Sequence, residues 1–139
     1  GMNDLEKSIR VEVKAEGLKV HFQPSDTVFE KFYDEDFVKL GVTALNHLES
    51  FSQPFVTRLA SERMAYMSLA ATYTYSVKKL LPFMVIAGSD YYQCTAKLYS
   101  IWHQRREAEL LSRKKEELSQ RLDELGDDTV LIPIGDKEL

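Results

Sequence analysis

Three histidines and one cysteine are the residues best suited to catalysis or metal binding, but their spacing matches no known site. His21, His47 and His103 are far apart in the chain, and no HExxH, ExxH or CxxC pattern is present. Cys94 lies near the start of a predicted helix, where the pKa of a thiol can fall. A reactive thiol also needs a base, and His103 is more than two helical turns away. We therefore expect an inert cysteine, no catalytic residues, no metal site and no cofactor.

Aromatic side chains are concentrated on two predicted helical arms. Pairing the arms about the predicted corner brings Tyr75 near Trp102. It also brings Tyr73 near His103 or Gln104. Tyrosine hydroxyls in an apolar seam need polar partners, and such a seam could hold a flat or amphipathic ligand. The candidate ligand-binding residues are Tyr73, Tyr75, Tyr99, Trp102 and His103. The alternative is a core or dimer seam in which the hydroxyls reach the surface.

The second arm, from about Tyr91 to Leu125, contains a heptad pattern. Its two rows are Ile101, Ala108, Lys115 and Leu122, and Gln104, Leu111, Leu118 and Leu125. Two polar residues among eight are acceptable in a packing seam. The other side of the arm alternates in charge every four residues, which favours a helix in solvent. The predicted self-association residues are Ile101, Ala108, Leu111, Leu118, Leu122 and Leu125.

The length of this arm is the reason to expect a partner. A 35-residue helix spans roughly 52 Å, whereas a compact globule of 139 residues is roughly 37 Å across. The arm should therefore overhang the body, and the simplest cover for its leucines is a second copy of the chain. We expect a homo-oligomer, with a dimer favoured. The alternative is that the arm breaks near Ser112 and folds back.

The first arm is predicted from Pro54 to about Ala87, because its apolar residues recur three and four positions apart. A second apolar stripe predicts that this arm is covered on two sides; it contains Ala60, Met64, Met67 and Ala71. Pro82 is expected to kink the arm or to end it, so residues 82–88 are either helix or strand. Gly88 closes the arm, and Asp90 is expected to cap the next helix. The helical hairpin therefore covers residues 54–125.

The flanking segments predict a small sheet and one further helix. Residues 1–8 are expected to be loose, with Gly1 typical of an expression remnant. Residues 9–22 alternate as a β-hairpin with a turn at Glu16-Gly17, which pairs Val13 with Val20 and Val11 with Phe22. Residues 27–51 are predicted as one helix or two short ones, with Thr27 and Glu30 as a capping box. Residues 129–134 alternate as a strand, which Pro133 confines to a sheet edge.

Together these elements predict a single α+β domain that is mainly helical. A long antiparallel helical hairpin packs with one further helix and a small antiparallel sheet. The sheet consists of the N-terminal β-hairpin and the C-terminal edge strand.

Composition limits the classes of function. A net charge of −4 and a pI near 5.4 argue against a protein that coats nucleic acid. The basic residues of the second arm are interleaved with glutamates, which weakens their field. The longest uninterrupted apolar run, residues 80–87, is too short to span a membrane. A single cysteine and no recognisable signal peptide predict a cytoplasmic protein.

The sequence favours a non-enzymatic interaction or adaptor protein that self-associates through its second arm. One alternative is a small-ligand-binding regulator, or an enzyme with weak sequence signals, that uses the aromatic residues. A nucleic-acid-binding protein is the remaining alternative. A protein partner is compatible with the first hypothesis, but the sequence does not identify one.

Overall fold

The structure is a computed structural model that describes residues 2–14 and 17–126. It divides into two units, residues 1–104 and 105–139, which we treat separately. The helices and strands are α1 (Met2–Lys7), β1 (Ile9–Lys14), β2 (Gly17–Phe22), α2 (Asp26–Lys31), α3 (Glu35–Val56), α4 (Glu62–Ala87), a 3-10 turn (Ser89–Tyr92) and α5 (Gln93–Leu125). The predicted α+β class, mainly helical with a small antiparallel sheet, is confirmed. The predicted strand at 129–134 lies outside the described residues, and the single domain stays a prediction.

The N-terminal segment is helical where we expected it to be loose. Residues 2–7 form α1, and Leu5 is buried in the core. Ser8 ends this helix, since its backbone N–H and its hydroxyl both donate to the carbonyl of Leu5. Burial of Leu5 in the core therefore stabilises a helix in a segment whose composition is mostly polar.

The β-hairpin forms as predicted, but its register differs by two residues. Val13 pairs with Leu18 and Val11 pairs with Val20, where the prediction paired them with Val20 and Phe22. The apolar residues of both strands still share the face that packs on the core. A shift of two residues keeps every side chain on its own face, so alternation alone cannot choose between the two registers.

Short polar side chains cap the two helices that follow the sheet. Ser25 caps α2 by accepting from the backbone N–H of Val28, where we predicted that Thr27 would be the cap. Asp34 caps α3 by accepting from the backbone N–H of Asp36 at 3.0 Å. The segment is therefore two helices, which was one of the two predicted alternatives, although the second of them is long.

α3 continues through Pro54, where we expected the helical hairpin to begin. A proline inside a helix loses one backbone hydrogen bond and crowds the preceding turn. Here the last turn is held by packing, since Phe51 and Phe55 both contact Trp102, with ring centroids 6.4 and 6.1 Å away. The chain turns only at residues 57–61, where Arg58 has a φ of 62°. The first arm of the helical hairpin therefore starts at Glu62.

α4 also continues through its proline. Pro82 lies inside the helix, so residues 82–87 are helical. Gly88 ends α4 with a φ of 107°, and its N–H donates to the carbonyl of Met84 at 3.0 Å. The expected helix after Asp90 begins as one 3-10 turn, which leads into α5.

Candidate functional site

The most deeply buried aromatic side chain is Trp102 of α5, which is 0% exposed. Tyr73 of α4 packs edge-on against it, with ring centroids 5.1 Å apart, and Tyr66 of the same helix does so at 5.8 Å. Phe51 and Phe55 enclose it from α3. Trp102 is therefore the point at which the three long helices meet.

Polar contacts fix the orientation of these helices. The indole N–H of Trp102 donates to a carboxylate oxygen of Glu62 at 2.7 Å, which ties α5 to the start of α4. The Tyr73 hydroxyl donates to the backbone carbonyl of Thr95 at 3.3 Å and lies 2.6 Å from the Ser52 hydroxyl. Since Glu62 reaches Trp102 while Tyr73 reaches Thr95, α4 and α5 run antiparallel. This confirms the hairpin.

Glu49 of α3 caps the start of α5 from outside that helix. Its carboxylate accepts from the backbone N–H and the hydroxyl of Thr95, at 2.8 and 2.9 Å. A carboxylate suits this position because the first backbone N–H groups of a helix have no partner within the helix and carry partial positive charge. Sequence reasoning missed Glu49 and Glu62, because nothing local marks a carboxylate whose hydrogen-bond partner lies forty or more residues away in the chain.

The candidate ligand-binding residues do not gather as expected. Tyr73, not Tyr75, contacts Trp102, so the predicted neighbours are wrong by two positions. Two residues of helix turn a side chain by about 200°, to nearly the opposite face. Tyr75 is 58% exposed, and the ammonium of Lys79 lies 4.0 Å from its ring centre.

The other candidate side chains on α5 also take part in packing. Tyr99 is buried and stacks on His103, with ring centroids 5.4 Å apart. Other side chains of this chain already cover Tyr73, Tyr99 and Trp102. The observed arrangement therefore corresponds to the core alternative, and ligand binding stays a prediction.

The second unit presents a different surface. α5 is unbroken through Ser112, and every residue from Glu107 to Gly126 is exposed. Leu111, Leu118 and Leu122 are 67%, 58% and 61% exposed, and they share one face of the helix. This row of leucines is in contact with water and is therefore available to meet another molecule.

No known protein supplies a function for this arrangement. No family model matches the sequence, and the curated proteins and solved structures include no similar protein. Within residues 2–14 and 17–126, no three histidine, cysteine, aspartate or glutamate side chains converge to hold a metal ion. No helix of that same portion is both apolar enough and long enough to cross a bilayer. The proposals below therefore depend on the surfaces of the chain itself.

Burial changes the acidity of the groups around Glu49. It raises the pKa of the Tyr73 hydroxyl well above its usual range, and it also raises the pKa of Tyr92. The pKa of the Cys94 thiol is raised by burial and by its hydrogen bond to Glu49. A thiol that holds its proton is a poor nucleophile, which agrees with the expectation of an inert cysteine.

These shifts predict a loss of stability in alkali. The pKa of Tyr73 in the folded state lies above its value of about 10 in the unfolded state, so the unfolded state loses the proton first as pH rises. The free energy of unfolding therefore falls above about pH 10, by up to about 1.4 kcal/mol per pH unit. Tyr73→Phe should flatten this fall, measured by urea unfolding between neutral and alkaline pH. The exposed Tyr33 provides the control Tyr33→Phe, which should follow the wild type. If the free energy of unfolding falls equally steeply with alkaline pH in Tyr73→Phe and in the wild type, Tyr73 is not the cause of the loss.

Proposed function

We propose that this chain is a non-enzymatic cytoplasmic protein that self-associates through the second half of α5 and acts as an interaction or adaptor protein. The observation that carries the proposal is the exposed leucine row of that helix. Each leucine that leaves water contributes about 1.5–3 kcal/mol, so a helix that keeps such a row exposed gains by pairing. A protein with one cysteine, whose thiol is free, suits a reducing compartment.

The spacing of the row suits a paired helix. Ala108, Leu111, Lys115, Leu118, Leu122 and Leu125 follow each other in alternating steps of three and four, which is the repeat of a coiled-coil seam. The opposite side of the helix carries Arg113, Glu117 and Arg121, whose alternating charges suit contact with water. One face therefore favours a partner and the other favours solvent.

Lys115 selects the direction of pairing. In a parallel dimer each Lys115 would face the same residue of the partner, which places two like charges in the seam. In an antiparallel dimer with its two-fold axis between Lys115 and Leu118, each Lys115 lies beside a leucine, and its ammonium reaches water past its own aliphatic stem. The same arrangement sets Leu111 against Leu122 of the partner subunit. We therefore propose an antiparallel dimer contact.

A charge placed in the row tests this proposal. Leu118→Lys should lower the average mass in solution, measured by sedimentation velocity at tens of micromolar, because the new ammonium would face Lys115 of the partner subunit in an apolar seam. Gln120→Lys adds the same charge on the outward side of the same helix and should leave the mass unchanged.

A substitution that strengthens association distinguishes loss of this contact from loss of the fold. Lys115→Leu should tighten association, since it completes the apolar row. The proposal fails if Leu118→Lys and Gln120→Lys have the same mass as the wild type. It also fails if Lys115→Leu weakens association.

A further inference from the structure

A second exposed apolar surface lies on α4, within the first unit. Met64 and Met67 are 75% and 74% exposed, and Tyr75 lies on the same face. Ser68 and Ala71, which lie between them, are also exposed. The sequence predicted that this arm would be covered on two sides, and in the structure this stripe is not covered by the described residues. The buried face of α4 is the opposite one, which carries Tyr73 and Val77. We call the exposed set Met64, Met67, Ser68, Ala71 and Tyr75 the α4 face.

None of the five residues of the α4 face is charged, and Lys79 on the next turn of α4 places its ammonium 4.0 Å from the ring centre of Tyr75. From Met64 to Val77 no residue of the chain is ionisable at neutral pH, whereas Arg63 precedes this run and Lys78 follows it. A helix face that works in water normally carries charged residues, as the second half of α5 does. Exposed methionines on an uncharged face are typical of a surface that meets another apolar surface.

The area of this surface is most of what a dimer needs. Taking about 200 Å² for a large free side chain, Met64, Met67 and Tyr75 expose roughly 400 Å². A standard interface buries about 800 Å² on each partner, of which about 65% is apolar in homodimers. The α4 face therefore supplies most of the apolar area of one side of such an interface.

The face is also complementary to itself. Its large residues lie at the two ends, and the small residues Ser68 and Ala71 lie in the middle. A two-fold axis between Ser68 and Ala71 sets Met64 against Tyr75 of the partner subunit. The small residues then face each other, which allows two antiparallel helices to approach closely.

We propose that the α4 face binds the α4 face of a second copy of this chain. This contact is independent of the one proposed for α5, because it uses a different helix in the other unit. A chain with two such surfaces joins two others, so the wild type should form assemblies larger than a dimer.

Four proteins test this proposal in one series, with mass measured by sedimentation velocity at the same concentration. The substitutions are Met67→Glu with Ala71→Glu for the α4 face, and Leu118→Lys for α5. Both sets are exposed, so the fold should be kept, and circular dichroism checks this. Ser50→Glu adds a charge at an exposed position of α3 and is the control.

The expected result is a dimer for the α4-face variant, a dimer for Leu118→Lys, and a monomer of 16.0 kDa when the two are combined. Ser50→Glu should keep the mass of the wild type. If Leu118→Lys is already a monomer, the α4 face does not bind a second copy and the inference is overturned. The same holds if the combined variant is still a dimer. If instead the α4-face variant alone is a monomer, the α4 contact stands and the proposed α5 contact fails.

Discussion

Trp102→Ala should lower the free energy of unfolding by about 3–5 kcal/mol, the range for large buried aromatic residues. Trp102 is fully buried where α3, α4 and α5 meet, and its removal leaves a cavity among the rings of Tyr73, Phe51 and Phe55. It also removes the hydrogen bond to Glu62. A small domain is stable by only about 5–15 kcal/mol, so this loss would bring the chain near its unfolding threshold.

The measurement is urea unfolding followed by circular dichroism, since the variant has lost the only tryptophan. Tyr91→Ala is the control, because it removes an exposed aromatic ring and should change stability by less than about 0.5 kcal/mol. Trp102→Phe keeps much of the ring volume, so its loss in free energy of unfolding should lie between those of Trp102→Ala and Tyr91→Ala. A cost for Trp102→Ala no larger than that for Tyr91→Ala would contradict the description of this core.

Phe83→Ala should have a comparable effect, again about 3–5 kcal/mol. Phe83 is buried on α4, and its ring lies 5.3 Å from that of Phe32 and 5.1 Å from that of Phe37. It also lies directly over Gly41 of α3, because a Cβ added at Gly41 would come within 2.2 Å of the Phe83 ring. The close approach of α3 and α4 therefore depends on a residue without a side chain.

Gly41→Ala tests this contact through its dependence on Phe83. Alone, it should destabilise, because overpacking costs about 1–3 kcal/mol and exceeds the gain of about 1 kcal/mol in helix propensity. In the Phe83→Ala background the clash is gone, so Gly41→Ala should be neutral or stabilising. A double-mutant cycle by urea unfolding measures this coupling, and additive effects would show that the two residues are not in contact.

Local patterns in the sequence predicted much of the fold. Alternation gave the two strands, steps of three and four gave the helices, and Gly88 marked the corner between α4 and α5. Helix boundaries were less accurate, because packing of Phe51 and Phe55 carries α3 past Pro54. At Gly41 the sequence shows only a glycine within a helical segment, and the reason for it lies on another helix, at Phe83.

Local patterns predicted the exposure of the α5 leucines but not that of the α4 face. The leucines of α5 were identified from their heptad spacing. Their exposure could also be predicted, because most of the residues around them in the second half of the helix are charged. The α4 face was misassigned as buried, although its uncharged run is visible in the sequence. Periodicity shows which residues share a face, but it does not show whether the chain has another element to cover that face.

The central claim is that this chain binds copies of itself, and its mass in solution tests that claim most directly. Light scattering on the unmodified protein at tens of micromolar should give at least twice the 16.0 kDa of one chain, and the mass should fall on dilution. A mass of 16.0 kDa at every concentration, up to the limit of solubility, would contradict the account.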